Sequence, residues 1–76
     1  MSPAEMEAAC KDSLAGAVEF GLPENRACVN LVTPPGFKPP QGFPRGYLLQ
    51  VKEDGRRIKS YPALRVLAWI RKAAAA

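Results

Sequence analysis

Histidine is absent from this chain of 76 residues, which also has only two cysteines and one tryptophan. Without histidine, the Ser-His and Cys-His pairs that activate a nucleophile are excluded. Two cysteines cannot complete a four-ligand zinc site within one chain unless carboxylates join them. The carboxylates are scattered, and none lies on a predicted buried face, where a paired acid/base site would need them. The sequence therefore predicts a protein that is not an enzyme and needs no metal or cofactor.

Long apolar runs are also missing from the chain. No segment approaches the ~20 apolar residues of a membrane span. The N-terminus has neither the basic start nor the apolar stretch of a signal peptide. We therefore expect a cytoplasmic protein with no membrane partner and with reduced cysteines. Cys10 and Cys28 each fall on a predicted apolar face, which favours two buried free thiols over a Cys10–Cys28 disulfide.

The length and composition indicate one small folded domain. Apolar residues make up 47% of the chain and charged residues 24%, which is typical of an ordered globular protein. We assign this domain to residues 1–72. The run Ala73–Ala76 has no pattern that would contribute to a core, and we interpret it as a possible cloning remnant.

The first 33 residues predict a helix and then a strand. Residues 2–5, Ser-Pro-Ala-Glu, match a capping box with proline at the first helical position. Apolar residues then recur at helical spacing until Phe20-Gly21, where glycine supplies a left-handed stop. We predict a helix over 3–20. Residues 27–33 are short, β-branched and apolar on both faces, which predicts a strand that is well covered.

Residues 34–45 form a proline-rich segment that predicts an extended loop. Five of the eight prolines lie here, where they remove backbone donors and block regular structure. Pro-Gly-Phe and Gln-Gly-Phe form a short imperfect repeat. We interpret Phe37 and Phe43 as plugs that seal the edge of the core, with exposure to solvent as the alternative.

The segment 47–61 predicts a β-hairpin. Asp54-Gly55 between two alternating runs is a strong signal for a two-residue type I′ turn. That turn would pair Val51 with Ile58 on a core face and Lys52 with Arg57 on the outer face. The predicted core face consists of Tyr47, Leu49, Val51 and Ile58.

The C-terminal segment predicts a second helix that starts at Pro62 and ends near Lys72. Its apolar stripe consists of Ala63, Val66, Leu67 and Ile70. The predicted fold class is therefore α+β. We expect a small three-stranded antiparallel sheet, made of one strand and a hairpin, packed against an N-terminal and a C-terminal helix.

Positive charge is concentrated in the second half of the chain. Residues 1–44 have five acidic and three basic side chains, whereas residues 45–76 have eight basic and two acidic ones. Such asymmetry favours an anionic partner. Lys and Arg side chains can contact phosphates and a tyrosine can stack on a base, so we predict that this partner is nucleic acid. The predicted nucleic-acid-binding residues, on the outer face of the hairpin, are Lys52, Arg56, Arg57, Lys59 and Tyr61. The alternative is an ordinary solvated sheet face whose charges discourage aggregation.

A second hypothesis is a protein-binding regulator or inhibitor. Compact chains of this size without motifs are common among accessory proteins of phages and mobile elements. Tryptophan and arginine are enriched at protein–protein hot spots, although a single tryptophan is also a common residue at the rim of a core. The predicted protein-binding residues are Arg65, Trp69, Lys72, Phe37 and Phe43. An unpaired strand edge would also allow two copies to form a homodimer.

Overall fold

The computed structural model describes residues 2–75 and contains two helices and three strands. The elements are α1 (Pro3–Glu19), β1 (Cys28–Thr33), β2 (Tyr47–Val51), β3 (Arg57–Pro62) and α2 (Ala63–Ala75), with a 3-10 turn at Glu24–Arg26. The sheet is antiparallel, with strand order β1-β3-β2. The predicted α+β fold is confirmed.

Both ends of α1 have the predicted chemistry. The Ser2 hydroxyl accepts a hydrogen bond from the amide of Glu5, and the Glu5 carboxylate accepts one from the amide of Ser2, each at 3.2 Å. Hydrogen bonding to the Glu5 carboxyl, first by the Ser2 side chain and then by the Ser2 backbone amide, lowers the pKa of Glu5. At the other end, Gly21 takes a φ of 75°, and the amide of Leu22 donates to the carbonyl of Ala17. This is the left-handed stop that closes a helix.

Both helices pack on one face of the sheet, called here the covered face. The core is built on that face, with Val29 and Leu31 of β1 and Tyr61 of β3 buried beneath the helices. From α2 the core takes the whole predicted stripe, which is Ala63, Val66, Leu67 and Ile70. β2 contributes no residue to this core, and all five of its residues are exposed.

β3 leads into α2 without a connecting loop. Pro62, predicted as the first helical residue, is the last residue of β3 instead. The amide of Ala63 donates to the carbonyl of Ala27, which fixes the start of α2 beside the start of β1. The helix continues to Ala75, beyond the predicted end near Lys72.

The predicted type I′ turn is wrong, because the hairpin has a longer loop. Only Gly55 takes a positive φ, of 87°, whereas a type I′ turn needs one at Asp54 as well. The amide of Gly55 donates to the carbonyl of Lys52, and the amide of Lys52 donates to the carbonyl of Arg56. A three-residue loop with glycine in the left-handed position closes the hairpin in this way. Asp54 thereby avoids the left-handed conformation, which costs about 1–2 kcal/mol for a residue with a Cβ.

The longer loop also changes the strand register. Val51 pairs with Arg57, and Gln50 pairs with Ile58, so the predicted Val51–Ile58 and Lys52–Arg57 pairs do not form. A bulge between Leu48 and Gln50 shifts the register again. A shift of one residue moves side chains to the other face of the sheet.

The predicted core and outer faces of the hairpin are also wrong. In β3, Tyr61, Lys59 and Arg57 pair with Val29, Leu31 and Thr33 of β1, which places them on the covered face. Ile58, predicted in the core, lies on the opposite face, called here the open face. The predicted core residues of β2 are exposed, and these are Tyr47, Leu49 and Val51.

β1 is covered on one face only, which corrects two predictions. Val29, Leu31 and Thr33 are buried, but the alternate residues are exposed, including Val32 at 47%. Both cysteines are free thiols, as predicted. Cys10 is buried as expected, whereas Cys28 is exposed because it lies on the open face. Burial, and to a smaller extent the nearby Glu7 carboxylate, raises the pKa of Cys10.

Candidate functional site

The proline-rich loop is folded into two turns of the same kind. Pro34 accepts a hydrogen bond from the amide of Phe37, and Pro40 accepts one from the amide of Phe43. Each turn has glycine at its third position, with φ of 73° at Gly36 and 81° in the second turn. Positive φ at that position is typical of type II turns. Both segments have the sequence Pro-x-Gly-Phe, which extends the Pro-Gly-Phe and Gln-Gly-Phe repeat by one proline. This spacing of proline and glycine is the sequence signal that predicts the two turns.

The second turn is attached to α2 through aromatic side chains. Phe43 packs edge-to-face on Trp69, with ring centroids 5.1 Å apart, and on Tyr61, with centroids 5.4 Å apart. The indole N–H of Trp69 donates to the carbonyl of Gln41 at 3.1 Å. Phe43 is therefore the plug that the sequence predicts, and Trp69 lies at the rim of the core. Phe37 is 39% exposed, so the plug interpretation fails for it.

A groove lies between this turn and α2, called here the loop–α2 groove. It has a volume of about 730 Å³ and is open to solvent. Its lining residues are Gln41, Gly42, Pro44, Arg65, Ala68, Trp69, Lys72 and Ala73. No acidic residue is among them. The groove thus combines an apolar surface, made by Trp69 and Pro44, with two cationic side chains.

The positions of these groups follow from the helical repeat. Arg65, Trp69 and Lys72 are spaced by four and then three residues, which places them along one side of α2. With a rise of about 1.5 Å per residue, the two cations start about 10 Å apart along the helix, with the indole between them. Three of the five residues predicted for protein binding are therefore brought together, and Phe43 supports them from the core. Phe37 is outside the groove.

The cations of the hairpin are less concentrated than the sequence suggests. Arg56 binds Asp54, with Nε 2.6 Å from Oδ2, and its backbone amide donates to Oδ1 at 3.1 Å. That amide hydrogen bond is the main reason why the pKa of Asp54 is lowered, and the Arg56 side chain adds to the effect. Lys52 is not opposed to Arg57, because it pairs with Arg56 across the loop. Arg57 and Lys59 share the covered face, where Arg57 is exposed and Lys59 is half-buried.

Tyr61 cannot act as a stacking platform for a nucleic-acid base in this structure. Only 2% of its surface is exposed, and the aromatic ring of Phe43 lies against it. Burial also raises the pKa of its hydroxyl. Its predicted position on the outer face of the hairpin is wrong because β3 pairs with β1 so that Tyr61 lies beside Val29 in the core.

Residues 2–75 contain no group of three or more His, Cys, Asp or Glu side chains placed to hold a metal ion. None of the helices in that range has the length and apolar character needed to cross a membrane. The chain matches no family model, no curated protein and no solved structure.

Proposed function

We propose that this protein is a non-enzymatic protein-binding module that holds an acidic segment of its partner in the loop–α2 groove. The observation that carries the proposal is the placement of Arg65 and Lys72 on either side of Trp69, in a groove without lining carboxylates. Trp69 offers an amphipathic contact surface of the kind that dominates protein interfaces. Its ring is already fixed by Phe43 and Gln41, so little freedom is lost on binding.

The spacing of the cations defines the chemistry of the partner. A peptide in the polyproline II conformation has three residues per turn and rises about 3.1 Å per residue, so two carboxylates three residues apart lie on one side of it, about 9 Å apart, close to the separation of the cations. The residues between them would lie over Trp69 and Pro44, which favours apolar side chains there. A partner segment of the form acid-apolar-apolar-acid fits both features. A protein that masks such a segment would act as a regulator or inhibitor of its partner.

The test is selection from a random peptide library, followed by titration. We expect peptides selected on the wild-type protein to be enriched in paired acidic residues three positions apart. The only tryptophan of the chain is Trp69, so its fluorescence reports binding directly. Replacing both Arg65 and Lys72 by alanine should weaken binding about tenfold, since both are exposed, an exposed ion pair contributes up to about 1 kcal/mol, and tenfold corresponds to about 1.4 kcal/mol.

Arg71→Ala is the matched control, because Arg71 is an exposed cation of the same helix that does not line the groove. It should bind the selected peptides as the wild type does. Selection of peptides without acidic pairs, or equal loss of binding in the Arg71 variant, would contradict the proposal. Thermal unfolding of each variant checks that the domain remains folded.

Nucleic-acid binding at the hairpin is a second candidate function. One observation favours it: Lys52, Arg57 and Lys59 form no ion pair within residues 2–75. Two or three phosphate contacts would give a log–log salt slope of roughly −2 to −3 in fluorescence anisotropy with labelled oligonucleotides. Replacing Arg57 and Lys59 by alanine should flatten that slope, whereas the Arg65/Lys72 variant should keep it. If neither single-stranded nor duplex oligonucleotides bind at low salt, this candidate is wrong.

A further inference from the structure

The edge strand β2 is the most exposed apolar element of the sheet. Four of its five residues are apolar, and these are exposed by 74% (Tyr47), 46% (Leu48), 51% (Leu49) and 54% (Val51). The strand order β1-β3-β2 leaves one side of β2 without a neighbour among residues 2–75. A free strand edge of this kind is a template for pairing with another strand.

The charges that flank β2 are complementary to each other. The strand has no charged residue between Tyr47 and Val51, but Arg45 precedes it and Glu53 follows it. Both side chains are exposed, and neither has an ion-pair partner within residues 2–75. When two copies of such a strand pair antiparallel, Arg45 of each copy lies near Glu53 of the other. A parallel arrangement would bring like charges together instead.

We propose that β2 pairs antiparallel with β2 of a second copy of this chain, forming a dimer with a continuous six-stranded sheet. The apolar strand provides the contact, and the two Arg45–Glu53 pairs set the direction. Pairing of the same edge about a two-fold axis uses up that edge in both copies, so assembly stops at the dimer. The bulge between Leu48 and Gln50 makes this edge irregular, which weakens any pairing that it forms.

The dimer should be weak and reversible. One strand pair buries less than the ~1,200–2,000 Å² of a standard interface. We therefore expect a dissociation constant in the range of roughly 10–100 μM, which sedimentation equilibrium can measure. The buffer must be reducing, because the exposed Cys28 could otherwise crosslink copies. This proposal does not depend on the loop–α2 groove, and peptide binding followed by Trp69 fluorescence provides a separate readout.

A charge-swap cycle is the decisive experiment. Arg45→Glu and Glu53→Arg should each raise the dissociation constant about tenfold, because each change turns two attractive pairs into repulsive ones. The double variant, Arg45→Glu with Glu53→Arg, should restore dimerisation to within about threefold of the wild type. Leu49→Lys places a charge at the centre of β2 and should leave only monomer at the concentrations tested.

Val32→Lys is the matched control, because Val32 is a similarly exposed apolar residue on the other edge strand, β1. It should leave dimerisation unchanged. A wild-type protein that stays monomeric at about 1 mM would overturn the proposal, as would a charge swap that fails to restore the dimer. Disruption by Val32→Lys but not by Leu49→Lys would assign the contact to β1 and would also refute it.

Discussion

The two edge strands of the sheet, β1 and β2, have similar apolar content but opposite environments. Val29, Leu31 and Thr33 of β1 are exposed by 3–7%, whereas the five residues of β2 are all exposed. The difference is in what packs above them. α1 packs against β1 and α2 packs against β3, while the main contacts of β2 are with β3 alone. Burial in this domain is therefore decided by the position of the helices and not by the hydrophobicity of a strand.

The sharpest test of this comparison is the same substitution in both edge strands. Leu31→Ala removes a buried side chain and should lower the free energy of unfolding by about 2–5 kcal/mol. Leu48→Ala changes an exposed one and should lie within about 0.5 kcal/mol of the wild type. Urea denaturation followed by circular dichroism measures both. Equal losses of unfolding free energy in the two variants would mean that β2 is buried in solution. The proposed dimer is the first arrangement to test as the cause.

The boundary between the covered part of the sheet and the exposed strand β2 is at Gly46, immediately before β2. A Cβ added there would lie 2.5 Å from the ring of Tyr61, which is buried and cannot move away. We expect Gly46→Ala to destabilise the domain by about 1–3 kcal/mol through overpacking. Gly16→Ala is the control, because a Cβ at this helical position meets no atom within 4 Å. It should stabilise the domain by up to about 1 kcal/mol, and destabilisation by both variants would refute the steric argument.

In the exposed loop of the hairpin, we expect the effect of a substitution on stability to depend more on backbone conformation than on burial. Gly55 has a φ of 87°, and a Cβ there would lie 3.1 Å from Cγ of Pro35. Gly55→Ala should therefore destabilise the domain by about 1–2 kcal/mol in thermal unfolding. Gly55→Asn should cost less, because asparagine tolerates positive φ better while it meets the same proline. If both substitutions cost the same, the contact with Pro35 decides the effect.

The smallest expected effect is a pH dependence that comes from the covered region. Burial raises the pKa of Tyr61 above the ordinary value of 10.0, so the unfolded chain loses this proton at lower pH than the folded one. Above about pH 10 the folded state binds more protons than the unfolded state, and its stability falls as the pH rises. Tyr61→Phe should reduce this fall in urea unfolding measured between pH 8 and about pH 11. An unchanged pH profile would contradict the burial of Tyr61.

The sequence predicts the elements of this fold well because their signals are local. The capping box at Ser2 and the stop at Gly21 both form, and the stripe of α2 that starts at Ala63 is buried as expected. The hairpin is predicted in place but not in register. Asp54-Gly55 fits loops of two or three residues, and the choice depends on the backbone of Asp54 and its bonds to Arg56.

The error in the candidate site has a different, non-local cause. Arg57, Lys59 and Tyr61 share one face of β3 whatever the loop length, and pairing with the buried residues of β1 beneath the helices makes this the covered face, with Tyr61 in the core. The loop–α2 groove was predictable only in part. Arg65, Trp69 and Lys72 share a helix face by spacing alone, but the approach of Gln41 and Phe43 comes from tertiary packing that no local pattern encodes.

The central position of β3 has a consequence for the order of folding events. β3 is the last strand in the chain, yet it lies between the other two. Its pairing with β2 closes a short loop, which hairpins do in about 1–10 μs. Its pairing with β1 must first close the whole segment 34–56, which costs more chain entropy. The length and stiffness of the proline-rich loop therefore help to set how fast this domain folds, in addition to shaping the groove beside α2.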